Sequence, residues 1–152
     1  MKIKFLSSLF TKKASNFEHP DGLYKLKFPE GWRMTRINSS EHLFIELRTN
    51  QGLIINAYSK TDNSIDYILK LHRDKCLDKE FKPKELKLKE FDLISWMYNF
   101  KKDKVLELKR IYHNRNTILD VSFCIKSDLS EGEIESEIDK ERLLFHTLEL
   151  KK

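Results

Sequence analysis

From Thr117 to Ile125 the chain alternates, with Thr117, Leu119, Val121, Phe123 and Ile125 on one side and Ile118, Asp120, Ser122 and Cys124 on the other. Successive side chains of a strand point to opposite faces of its sheet, so this segment predicts a β-strand with one buried and one wetter face. Two further extended segments precede it, about Leu86 to Phe100 and Val105 to His113, joined by polar turns at 101–104 and 114–116. Nearer the N-terminus, Leu23 to Phe28 places Tyr24, Leu26 and Phe28 on one face. It stops at Pro29-Glu30-Gly31-Trp32, where proline fixes φ and glycine accepts a positive φ; Trp32 is expected to fold back over the sheet edge. His42 to Arg48 and Leu53 to Ser59 read as a hairpin over a turn at 49–52.

From Asp62 the period changes to that of a helix. Ile65, Ile68, Leu69, His72 and Cys76 share one face, Asp62, Asn63 or Ser64 caps the start, and Asp66 sits near the positive dipole end. Lys82-Pro83 stops it, because the residue before proline avoids the α region. Ser130 and Glu133 have capping-box spacing and open a second helix to about Leu144, with Ile134, Ile138 and Phe145 as its apolar points. Residues 16–21 read as a linker. Within 1–15, Ile3, Leu6, Leu9 and Phe10 gather on one side of a short helix or tail flanked by lysines. Ser7 and Ser8 interrupt the apolar run, which is too short for a signal peptide. Such a segment docks on the domain or makes weak contact with a membrane surface.

The order strand, hairpin, helix, three-stranded meander, helix predicts one α+β domain over residues 16–152. Its expected architecture is an antiparallel sheet of about six strands flanked by two main helices, an α/β/α sandwich.

Composition narrows the class. A chain of 152 residues fits one domain, and 39% hydrophobic with 35% charged residues is neither disordered nor collagen-like. No run approaches the ~20 apolar residues of a transmembrane helix. Two cysteines, Cys76 and Cys124, read as reduced thiols packed as small apolar groups in a cytoplasmic protein. The net charge is +5, from 29 basic and 24 acidic residues. Lys101, Lys102, Lys104, Lys109, Arg110 and Arg115, with Phe100 and Tyr112 interleaved, offer a stripe for phosphates. The same residues read more simply as the solvated face and turns of the meander, so no nucleic-acid partner is expected.

No catalytic, metal-binding or phosphate-binding motif stands out. His72 and Cys76 lie four apart on a helix but lack a third ligand, so no metal and no cofactor are expected. Cys124 with any of His19, His42, His72, His113 and His146 makes a nucleophile pair only on paper, since no elbow or oxyanion motif accompanies it; the chain reads as non-enzymatic. The marked feature is a stretch with seven carboxylates, Asp128, Glu131, Glu133, Glu135, Glu137, Asp139 and Glu141, and one basic residue, Lys140. The dipole of a helix start accounts for several of them. Seven exceed what capping needs, and an acidic surface steers a basic partner.

The segment Leu26-Lys27-Phe28-Pro29-Glu30-Gly31-Trp32 resembles the aliphatic-x-aromatic-Pro-x-Gly-Trp opening of the PsbP-like, DcrB-like superfamily. The order of elements is similar to that superfamily across residues 21–150. The resemblance implies an α+β fold and a role in binding proteins or supporting assemblies. On this reading the partner is another protein, a basic toxin or a secretion-system component, and the chain a bacterial immunity or accessory protein. Asp128, Glu131, Glu133, Glu135 and Glu137 would meet the partner, with Trp96 or Tyr98, if exposed, as aromatic anchor. The alternative is a small ligand held between sheet and helix, or a membrane-associated accessory of the same fold.

Overall fold

A computed structural model describes residues 12–49, 51–61, 64–75, 83–100 and 103–152. The strands are β1 (Lys12–Lys13), β2 (Asn16–Glu18), β3 (Tyr24–Lys27), β4 (Trp32–Arg36), β5 (Glu41–Glu46), β6 (Gln51–Ser59), β7 (Lys84–Lys87), β8 (Asp92–Phe100), β9 (Val105–His113), β10 (Thr117–Lys126) and β11 (Glu149–Leu150). The helices are α1 (Ile65–Lys75) and α2 (Glu131–Phe145). The segment 1–11 with its apolar points Ile3, Leu6, Leu9 and Phe10 lies outside the described residues, as do Asn50, Asp62, Asn63, Cys76, Lys82, Lys101 and Lys102.

The class is α+β, with an antiparallel sheet of eight strands in the order β1-β4-β5-β6-β10-β9-β8-β7 instead of the six expected. Three local events make the difference. The long segment expected from Leu86 to Phe100 folds on itself, because Leu88 N–H donates to Phe91 C=O (3.0 Å) and turns it into the β7–β8 hairpin. Trp32 opens β4 opposite Glu46 and does not fold over an edge. Lys12 and Lys13, expected in the tail, pair with Met34 and Arg33. A second sheet, ordered β11-β3-β2, takes the strand expected first, together with residues 16–18 that read as linker.

Register and alternation decide what each face buries. On one face Leu119, Val121, Phe123 and Ile125 of β10 join Phe44, Leu53, Ile55, Leu108 and Tyr112, beneath Leu144 and Phe145 of α2, Tyr24 and Leu26 of the small sheet, and Phe28 just after it. On the other, Ile118, Ile111, Ile94 and Trp96 lie against Ile68 of α1. The face expected to be wetter is therefore dry where α1 covers it and opens only at Ser122 and Cys124. Each fully buried Leu, Ile or Phe contributes roughly 1.5–3 kcal/mol, so these two clusters supply the driving force for the fold.

The helix starts follow the expected chemistry. Ser64 Oγ accepts from Tyr67 N–H (3.1 Å) at α1. Ser130 Oγ accepts from Glu133 N–H (3.2 Å) while Glu133 Oε1 accepts from Ser130 N–H (3.3 Å), the complete reciprocal cap of α2. Beyond α2, Thr147 Oγ1 accepts from Lys27 N–H (3.0 Å) and Leu150 pairs with Tyr24, tying the helix exit to the small sheet.

Candidate binding face on the second helix

A cleft of about 670 Å³ opens between the turn after β3, the β5–β6 hairpin and one flank of α2. The Pro29-Glu30-Gly31-Trp32 turn shapes it. Gly31 has φ +98°, and a Cβ built there would come 3.0 Å from Glu46 Oε1, so glycine alone lets the turn close on the hairpin. Leu47 N–H donates to Gly31 C=O (3.0 Å) and completes that closure. Phe28, Trp32, Phe123 and Leu144 form the apolar lining, with Phe28 stacked on Phe44 at 4.4 Å between centroids.

Two carboxylates are built into the walls. Glu46 is buried, which by itself raises its pKa, but its oxygens accept from Thr49 N–H (2.7 Å), Thr49 Oγ1 (2.7 Å) and Arg48 Nε (3.1 Å). Those bonds outweigh burial and hold the carboxyl below its usual range. Glu141, on α2, is 1% exposed; Arg110 Nε lies 3.0 Å away and Tyr112 Oη donates to it (3.1 Å). Here burial wins over the Arg110 charge and pushes the pKa up. At the lip, Leu143 is 68% exposed, beside Lys140 and Arg48.

The acidic run divides by helical position. Glu141 faces inward, and Glu137 is half-buried, accepting from Gln51 of β6 and from Lys140 (3.0 Å). Glu133 is committed to the cap and Asp139 pairs with Arg142 (3.2 Å). Asp128, Glu131 and Glu135 are exposed and have no ion pair among the described residues. Glu131, Glu135, Asp139 and Leu143 recur every fourth residue and are all exposed, so they form one ridge along α2. The ridge is acidic at the helix start and apolar at its end, where Leu143 meets the cleft.

Trp96 and Tyr98 do not join this face. They project from β8 toward α1, where Trp96 is 5% exposed and stands edge-on to His72, 5.3 Å between ring centroids. Tyr98 is half-buried and its hydroxyl donates to His72 C=O (3.2 Å). The condition attached to Trp96 as an anchor, exposure, is not met: α1 covers it.

Other residues singled out in the sequence have structural partners. His72 Nε2 lies 2.7 Å from Asp120 Oδ2. Asp120 Oδ1 lies 3.2 Å from Lys109 Nζ, which also donates to Ser122 Oγ and sits 3.7 Å from Glu107. Burial raises the Asp120 pKa, but the His72 bond and the Lys109 charge more than compensate and hold it ionised. An ionised carboxylate only accepts, so His72 Nε2 is the donor in this bond. Lys109 on one face and Arg110 on the other are thus turned inward, so among the described residues Lys104, Lys109, Arg110 and Arg115 do not form a continuous surface stripe. Cys124, expected in the packed interior, is an exposed free thiol at the end of that same face, and burial of its surroundings pushes its pKa up. Among the described residues no His, Cys, Asp and Glu group of three is arranged to hold a metal, and no helix is long and apolar enough to cross a membrane.

No family model and no curated protein matches this sequence. Among solved structures, the solution structure of cyanobacterial PsbP (CyanoP) from Synechocystis sp. PCC 6803 aligns with a TM-score of 0.64, covering 90% of this chain and 92% of that one at 9% identity. The fold is PsbP-like. At that identity the likeness extends to the fold alone, so function rests on this chain's own side chains. Within the PsbP-like frame, the Pro-x-Gly-Trp turn that carried the sequence resemblance is the segment that forms one wall of the cleft.

Proposed function

We propose that the chain is a non-enzymatic protein-binding module, built as an α/β/α sandwich, whose binding face is the α2 ridge and the cleft beside it. The observation that carries this reading is the succession of exposed carboxylates, an exposed Leu143 and an apolar cleft along one helix edge. Asp128, Glu131 and Glu135 attract a basic partner over the last Debye length, which sets the on-rate. An aliphatic or aromatic side chain of that partner then enters the cleft over Leu143, against Phe28 and Trp32, and dehydrates there, which sets the off-rate. The most concrete form is a cytoplasmic immunity or accessory protein held against a basic toxin or a secretion-system component. Charge reversal at Glu131 and Glu135 is expected to slow association at least tenfold at low salt and little at high salt, while Leu143→Asp speeds dissociation. Equal binding by all variants removes the reading.

A second reading is favoured by the cleft's size. A volume of about 670 Å³, an apolar floor and two carboxylates at its walls fit a drug-sized ligand bearing a cationic or donor group. A fragment screen read by thermal shift separates the two. Stabilisation lost in Phe28→Ala but kept in the Glu131/Glu135 reversal supports the small ligand.

A further inference from the structure

We infer that the β7 edge of the large sheet is a self-association surface, across which a second copy of this chain continues the sheet. Among the described residues the sheet ends at two edges, β1 and β7. β1 spans two residues, whereas β7 spans Lys84–Lys87 with every residue exposed. Its side chains sort cleanly. Leu86 and Leu88 lie on the face of Leu93, where Leu86 is 55%, Leu88 43% and Met97 of neighbouring β8 37% exposed. Glu85 and Lys87 lie on the opposite face, that of Ile94. Lysines on an edge normally discourage pairing. Here Glu85 between them makes the edge complementary to itself.

The ladder fixes the register. Leu88 N–H donates inward to Phe91, and hydrogen-bonding groups alternate along a strand. Lys84, Leu86 and Leu88 therefore direct their backbone groups to β8, while Glu85 and Lys87 direct theirs outward. An antiparallel two-fold pair must match outward residues with outward residues. Matching Glu85 with Glu85, or Lys87 with Lys87, sets like charges opposite one another. Matching Glu85 with Lys87 of the second copy gives both ion pairs, closes four backbone hydrogen bonds, and places Leu86 against its own copy on the axis. That central position is a non-hydrogen-bonded pair, in which Cα atoms approach to about 4.5 Å. One short strand and a few leucines bury less than a standard interface, so the dimer is a weak one, with dissociation in the range of tens of micromolar.

The test is sedimentation equilibrium of the full chain over 5–500 μM, as an order of magnitude bracketing that range, with circular dichroism to show that each variant is folded. Glu85→Lys and Lys87→Glu each set like charges across the axis and are expected to weaken self-association at least tenfold. The double variant restores the opposite-charge match and is expected to recover it. Leu86→Cys is expected to form an interchain disulfide under mild oxidation that the parent chain, with its native cysteines, does not form. A parent chain that stays monomeric throughout, or single variants that dimerise as well as the parent, overturns the proposal. A double variant as weak as either single one does the same. None of these outcomes touches the α2 face, so the two proposals stand or fall separately.

Discussion

His72 Nε2 on α1 lies 2.7 Å from Asp120 Oδ2 in the middle of β10, and both side chains are about one-tenth exposed. The contact anchors the helix over its sheet through a carboxylate that Lys109 also neutralises from β9. Removing one member of a buried charged group leaves the others without compensation, which costs more than the bond itself is worth. Asp120→Ala leaves the buried Lys109 with only Ser122 and the longer Glu107 contact (3.7 Å) and is expected to destabilise the domain by about 3 kcal/mol, and His72→Ala by about 2 kcal/mol because Lys109 still serves Asp120. Urea unfolding of the two variants and their double measures this; strict additivity would contradict the coupling. The Asp120 pKa is depressed in the fold, so its contribution is present above the unfolded value and lost as pH falls through the folded one. Asp120→Asn accordingly flattens the stability profile below about pH 4.

His42 is 1% exposed among Phe17, His19 and Phe44, and its Nδ1 has no hydrogen-bond partner among the described residues. Burial, with His19 and Arg36 nearby, lowers its pKa to about 4. His19 is also lowered, chiefly by burial, with Asp21 opposing and Arg36 assisting. The unfolded imidazole takes up a proton near pH 6.5 and the folded one does not, so the contribution holds above about pH 6.5 and is lost on acidification toward pH 4. Between pH 7 and pH 5 protonation linked to His42 alone is expected to cost the parent on the order of 2 kcal/mol in urea unfolding, a loss that His42→Phe removes. Parallel profiles would contradict a neutral buried imidazole at this position.

Gly31→Ala tests the turn that shapes the cleft. The new methyl group must accept a φ of +98° and meets Glu46 Oε1 at 3.0 Å. Strain in such a backbone region costs about 1–3 kcal/mol, and the displaced carboxylate loosens the Thr49 contacts besides. Thermal unfolding reads the loss. A variant as stable as the parent would mean that the turn is not constrained as described.

What was legible in the sequence was what local pattern dictates. The β10 strand and the Ser130–Glu133 cap appear as expected, because each is set by side chains within one element, whereas the dryness of the second β10 face at Ile118 and Asp120 comes from α1. Partnership across elements was not legible. Leu23 to Phe28 patterns as a strand but carries no mark of which sheet it joins, and β2 has only Phe17 as an apolar residue. The β7–β8 turn contains neither glycine nor proline, so a hairpin looked like one long strand. The sequence pattern puts Trp96 and Lys109 on the strands they occupy, yet their burial depends on α1 and Asp120, which the pattern of β8 and β9 does not contain. The cleft draws on Phe28 to Glu30 and Trp32, on Glu46, Arg48, Thr49 and Gln51, and on the end of α2, and among these the Pro-x-Gly-Trp turn and Glu141 of the acidic run carry a signal in the sequence.

The central claim, that the α2 ridge and its cleft receive a protein, is tested most directly by quantitative capture from host lysate at low salt. The parent chain is compared with a Glu131→Lys, Glu135→Lys, Leu143→Asp triple variant of equal thermal stability. The account predicts that one basic protein is retained stoichiometrically by the parent, released by salt, and absent from the triple variant. Retention of no protein by the parent, or of the same protein equally by both, would contradict it.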